Sequence, residues 1–127
     1  MSIAKQTFSI IVATLTFAPA AHAACGGVVK FRPGESQATY RGAVSGYEYC
    51  DWRFAARAGQ KVTVWLNGSQ DLQAILYSDN GDEFDNGLPM TLARDGDHEI
   101  RVLQPRSAAR RSERPKAFTI RIAITDR

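Results

Sequence analysis

Arg106 and Arg110 stand four residues apart in Pro105-Arg106-Ser107-Ala108-Ala109-Arg110-Arg111, and their type and spacing point to anion recognition. Pro105 suits the first position of a helical turn, and Ser-Ala-Ala-Arg can complete it. On such a turn residues four apart share a face with Cβ atoms about 5–6 Å apart, so two guanidinium groups stand side by side. Like charges at that spacing cost a few tenths of a kcal/mol unless an anion lies against them. Guanidinium is the side chain best shaped for bidentate carboxylate recognition. The competing reading is a solvated basic loop, or one salt-bridged to the protein's own acids. Tyr47, after Ser45-Gly46 at the start of a predicted strand, is the second candidate. Tyrosine and arginine together are typical anchors of a protein-binding patch; otherwise Tyr47 packs on a neighbouring loop.

The inventory for catalysis is thin. The sequence holds two histidines, His22 and His98, and His22 falls in the leader described below. One remaining histidine excludes multi-His metal sites and most His-based relays. Asp82, Glu83 and Asp85 have the chemistry of a glycosidase acid and base. They sit in a Gly/Asn turn region with no aromatic-rich cleft signature. Asp79-Asn80-Gly81-Asp82-Glu83 suggests calcium but fails the Asp-x-Asx-x-Asx-Gly spacing that wraps a cation in oxygen ligands. A solvated hairpin is its plain reading, and calcium binding stays open. No catalytic residue, metal-ligand set or cofactor motif is assigned.

Residues 1–23 read as a secretory leader: Lys5 in the n-region, an apolar run from Phe8 to Phe17, a break at Pro19, and Ala21-His22-Ala23 as the small-x-small cleavage pattern. The apolar run is short of the roughly 20 residues that span a bilayer, so no membrane anchor is expected. Residues 24–127 form the expected mature domain, outside the cytoplasm. There the default for Cys25 and Cys50 is one disulfide. Formal net charge over the chain is +3, but the charges segregate. From Asp71 to Glu99 there are eight acids and one base; from Arg101 to Arg127, eight bases and two acids. A basic final third in a nearly neutral protein implies an anionic partner or an internal salt network, and the compartment argues against nucleic acid.

The elements that must position these residues are strands. Two-residue alternation places Cys50, Trp52, Phe54 and Ala56 on one face of a strand predicted over Tyr47–Ala56, with Tyr47 on the other. Val62, Val64 and Leu66 point inward from the next strand, and Phe118, Ile120, Ile122 and Ile124 from the last. Val28–Phe31, Gln37–Arg41, Leu72–Tyr77 and His98–Gln104 read as further strands, and Arg94-Asp95-Gly96-Asp97 as an Asp-Gly hairpin signal. Seven or eight short strands with no amphipathic helix predict an all-β, single-domain, jelly-roll-like β-sandwich. Residues 105–115 lack strand periodicity and form a basic loop before the last strand.

The sequence resembles the periplasmic inhibitors of goose-type (g-type) lysozyme of Gram-negative bacteria. The resemblance runs through Phe31-Arg32-Pro33-Gly34, Ala38-Thr39-Tyr40-Arg41-Gly42, Gly46-Tyr47-Glu48-Tyr49, Ala58-Gly59-Gln60-Lys61-Val62 and Arg101-Val102-Leu103-Gln104-Pro105-Arg106-Ser107-Ala108-Ala109-Arg110. The last segment is the specific one; the others also mark small β-sandwiches appended to secreted peptidases. The resemblance implies a β-sandwich whose loops enter the lysozyme active-site cleft, with Tyr47, Arg106 and Arg110 in the inhibitory roles. Pro105 and the cysteine pair stand outside the family pattern. The expected function is therefore a non-enzymatic periplasmic inhibitor of g-type lysozyme. The alternative is a non-catalytic carbohydrate- or protein-binding module.

Overall fold

Alternation along each strand decides which face is buried. The structure, a computed structural model, describes residues 25–126; the leader expected over residues 1–23 lies outside them. In β3 (Tyr49–Ala56) Cys50, Trp52 and Phe54 turn inward while Tyr49 and Arg53 face solvent. In β8 (Gly96–Leu103) the inward row is His98, Ile100 and Val102. The two strands pair antiparallel with Cys50 opposite Val102, Trp52 opposite Ile100 and Phe54 opposite His98. Both apolar rows therefore lie on one side of the sheet. β5 (Gln73–Leu76) flanks β8 on its other side and carries β6 (Asp82–Glu83), while β1 (Gly26–Val28) runs parallel to β3.

The second sheet is built around β9 (Lys116–Thr125). Ile120 of β9 lies opposite Tyr40 of β2 (Gln37–Val44) on one side and Leu66 of β4 (Lys61–Gly68) on the other. Ile122 likewise lies between Ala38 and Val64, and β7 (Met90–Thr91) closes the far side of β4. The sheets pack face to face through Trp52, whose ring meets Phe118 edge-on at 5.8 Å between centroids and Tyr40 at 5.9 Å. Close approach at this seam explains Gly42: a Cβ there would lie 2.7 Å from Phe118 Cζ and 2.8 Å from Cys25 Sγ. The Cys25–Cys50 disulfide, with Cα atoms 4.8 Å apart, ties the first described residue to β3.

The expected all-β sandwich is present, with differences in detail. The first strand covers Gly26–Val28 rather than Val28–Phe31, because its register is set by parallel pairing to β3, Gly26 opposite Asp51. The third strand begins at Tyr49, so Tyr47 owes its exposure to a turn rather than to strand alternation. Residues 105–115 contain a short helix, α1 (Arg106–Arg111). Arg94–Asp97 is not a hairpin turn: β7 and β8 belong to different sheets, and the segment crosses between them. Arg94 holds that crossing by donating to the Asp97 carbonyl at 2.7 Å and the Asp79 carboxylate at 2.9 Å.

Asp79 accordingly belongs to the scaffold. His98, buried and stacked on Phe54, faces Asp79 Oδ1 with Nδ1 at 3.1 Å and the Arg94 carbonyl with Nε2 at 3.2 Å. Burial acts to raise the Asp79 pKa, but hydrogen bonds from Ser78, His98 and Arg94 outweigh it and hold the carboxyl below its ordinary 3.8. A carboxyl depressed on folding adds stability above its unfolded pKa, and that stability is lost as pH falls through the folded value.

Two outcomes are expected. Replacing both cysteines by serine removes a loop closed across 25 residues of separation, worth about 3.5 kcal/mol in the chain-entropy model, and should lower Tm by roughly 15 °C or more. Two alkylatable thiols in the native protein would refute the bond. Asp79→Asn should be less stable than the parent at pH 7, with the gap in urea midpoint closing as pH falls below 3.8; a gap constant between pH 7 and pH 2 contradicts the assignment.

Candidate functional site

Tyr47 sits in the turn between β2 and β3, where Glu48 N–H donates to the Ser45 carbonyl at 2.9 Å and the Glu48 carboxylate accepts from Ser45 N–H at 3.2 Å. Gly46 makes this turn with φ of +54°, a left-handed conformation that favours glycine. The backbone at Gly46 is buried, and Tyr47 beside it is 64% exposed. An aromatic ring projecting from a tightly bonded turn presents apolar area at little entropic cost on binding.

The arginine pair is placed by α1. Pro105 sits at the N-cap without a side-chain capping bond, one place before the first helical position. Ala109 N–H donates to the Pro105 carbonyl at 2.9 Å, closing the first turn. Ala108 and Ala109 are buried and seat the helix on the sandwich. Arg106 and Arg110 are exposed, and their four-residue spacing on the helix puts them on one face.

Two segments far apart in sequence meet here through a polar residue at the end of the inward row of β8. Gln104 is buried, and its Nε2 donates to the Gly46 carbonyl at 3.0 Å. The residue before Tyr47 is thereby bonded to the residue two before Arg106. A buried glutamine at the end of an alternating strand reads in sequence as a surface position. The available signals are its phase, two residues beyond Val102 in the inward row, and its membership of the Gln-x-Arg-x-x-Ala-Arg segment.

The basic final third divides into two sets. Arg101 makes a bidentate pair with Asp51 at 2.8 and 3.0 Å and lies between the rings of Tyr49 and Tyr77, 3.7 and 3.5 Å from their centroids. The Asp51 hydrogen bonds raise its pKa further. Arg111 and Lys116 both pair with Asp71, and Arg121 lies over Trp65. Arg106, Arg110 and Arg114 have no ion-pair partner among the described residues. The acidic turn from Asp79 is beside His98, five residues along β8 from Leu103 and so about 17 Å from the end that carries α1. No group of three or more His, Cys, Asp or Glu among the described residues is arranged to hold a metal ion.

No family model matches the chain. The inhibitor of g-type lysozyme of Escherichia coli K12 is 35% identical over 105 residues, which span 76% of this chain and 78% of that protein. The crystal structure of PliG from Salmonella Typhimurium, a periplasmic lysozyme inhibitor of g-type lysozyme, is 31% identical. It superposes with a TM-score of 0.70 over 81% of this chain and 100% of that one. PliG of Aeromonas hydrophila, at 23% identity and a TM-score of 0.68 over 80% of this chain and 96% of that one, shares the fold.

Proposed function

The chain belongs to the family of periplasmic inhibitors of g-type lysozyme, and from that membership we propose that it blocks the acidic active-site cleft of a g-type lysozyme with Tyr47, Arg106 and Arg110. It does so as a binding protein without catalysis or a cofactor. In this reading residues 1–23 are the leader removed on export and residues 24–127 the inhibitor. The observation that carries it is the pair Arg106 and Arg110, exposed on one face of α1 with no ion-pair partner among the described residues. Gln104 bonds the helix approach to the turn that holds Tyr47.

The chemistry of the target fits this surface. A glycosidase cleft carries two carboxyl groups flanking the scissile bond. Adjacent guanidinium groups meet carboxylates with charge-assisted hydrogen bonds, and their mutual repulsion is relieved when they do. A tyrosine ring beside them fills a sugar subsite with flat apolar area. The basic loop also speeds encounter with an acidic cleft, an effect that falls with ionic strength.

Purified protein incubated with g-type and hen-type lysozymes on cell-wall substrate should selectively suppress the g-type activity. Absence of effect on both enzymes would leave the carbohydrate- or protein-binding module as the function. Arg106→Ala and Arg110→Ala should change folding stability by no more than about 0.5 kcal/mol, since neither side chain is buried. Each should weaken binding by about 2 kcal/mol or more, a loss of roughly thirtyfold or greater. The double variant should lose less than the product of the single losses, because both meet one partner site. Arg114→Ala, matched in charge, should act weakly and mainly at low salt; a loss as large as that of Arg106→Ala would make net basicity the explanation.

A further inference from the structure

Among the described residues Gln104 and His98 are the buried polar side chains, and both ends of the Gln104 amide are engaged by other parts of the chain. Its Nε2 donates to the Gly46 carbonyl at 3.0 Å, and its Oε1 accepts from Lys116 Nζ at 2.6 Å. The same ammonium reaches Asp71 Oδ2 at 3.3 Å, and Asp71 Oδ1 accepts from Arg111 Nη2 at 3.2 Å. One continuous chain of contacts thus runs from the turn holding Tyr47 to the last residue of α1. It joins the β2–β3 turn, the end of β8, the start of β9 and the segment between β4 and β5.

We propose that Gln104, Lys116 and Asp71 are positioning residues, which preset the spacing between the Tyr47 turn and α1 so that both reach the lysozyme cleft already in register. This rests on the inhibitor reading above. A helix of six residues is far below the length that is stable alone, and Pro105 adds no capping side-chain bond. Its conformation therefore depends on what holds it: two buried alanines beneath, Gln104 just before it and Arg111 at its end. The Gln104 side leaves no slack, since a buried acceptor deprived of its donor is unfavourable wherever water cannot replace it. The Arg111 contact is largely solvent-exposed and correspondingly weaker. Gln104 is 4% exposed and the Lys116 side chain 17%, so neither offers a partner much surface. Their influence on binding runs through the position of Tyr47, Arg106 and Arg110, by reducing the ordering that association would otherwise require.

The test uses Lys116→Met, which keeps the stem and removes the ammonium. Asp71→Asn, at the outer end of the network, serves if the first variant folds poorly. Three readouts are needed: inhibition of g-type lysozyme, Tm, and amide hydrogen exchange resolved by segment. Inhibition should weaken roughly threefold to tenfold, with faster exchange confined to residues 45–48 and 106–111 and parent-like exchange in β3, β8 and β9. Combining Lys116→Met with Arg106→Ala should lose less than the product of the single losses, because the position of an absent guanidinium no longer matters. A multiplicative loss would make Lys116 a direct contact and overturn the proposal. So would parent-like inhibition, unchanged local exchange, or exchange that rises uniformly through the sheets. If Arg106→Ala and Arg110→Ala inhibit like the parent, the inhibitor site itself is misassigned, whatever the Lys116 variant does.

Discussion

β8 and β9 follow one another in sequence yet lie at the centres of different sheets, β8 between β3 and β5, β9 between β2 and β4. The chain linking them must climb from one layer to the other, about 10 Å apart in a face-to-face sandwich, across one end of the core. That constraint shapes everything at this end. The link cannot continue as a strand, and its backbone must find partners away from either ladder. A short helix over buried alanines satisfies part of the requirement, and the Gln104 amide satisfies part of the neighbouring turn. The surface proposed for recognition thus lies where the topology leaves the chain outside both sheets, as binding residues commonly do in rigid β scaffolds.

Charge follows the same division of labour. The acid-rich middle and base-rich end of the sequence meet at Asp71, which receives Arg111 and Lys116, while Asp79 receives Arg94 from within the acidic stretch and Asp51, which precedes it, receives Arg101. Arg101 is the most confined of these guanidinium groups, held between two tyrosine rings while Asp51 accepts from its Nε and Nη2. Such a cation is a fixture of the sheet face. Arg106 and Arg110 differ in having neither an aromatic ring nor a carboxylate assigned to them within the described fold. What separates the structural arginines from the two proposed for recognition is their local partners, since both sets occur in the same short stretch of sequence.

What was legible in the sequence was whatever has a period. Phe118, Ile120 and Ile122 alternate because β9 buries one face, and Cys50, Trp52 and Phe54 do so in β3. The helical turn near Arg106 was legible because alanine spacing and a leading proline carry local information. Features defined by contacts between distant segments were not. Asp95-Gly96 carries a hairpin signature, but a hairpin needs both flanking strands in one sheet, and Leu92 instead bonds to Gln60 before the chain crosses over. Residues 26–28 pair with β3 only because the cysteine bridge and Asp51–Arg53 lie alongside. The pairing of Gln104 with Gly46 spans 58 residues and leaves no periodic trace.

The bridge between Cys25 and Cys50 has a further meaning for a protein that works in the periplasm. In the reducing cytoplasm both thiols stay unlinked, and the chain lacks about 3.5 kcal/mol of the roughly 5–15 kcal/mol that a small domain typically has. Before export the domain is therefore in its less stable, more readily threaded form, and the oxidising compartment supplies the bond that it lacks. Once oxidised, the same chain has its first described strand fastened covalently beside its central tryptophan. The covalent bond thereby records which side of the inner membrane the molecule has reached.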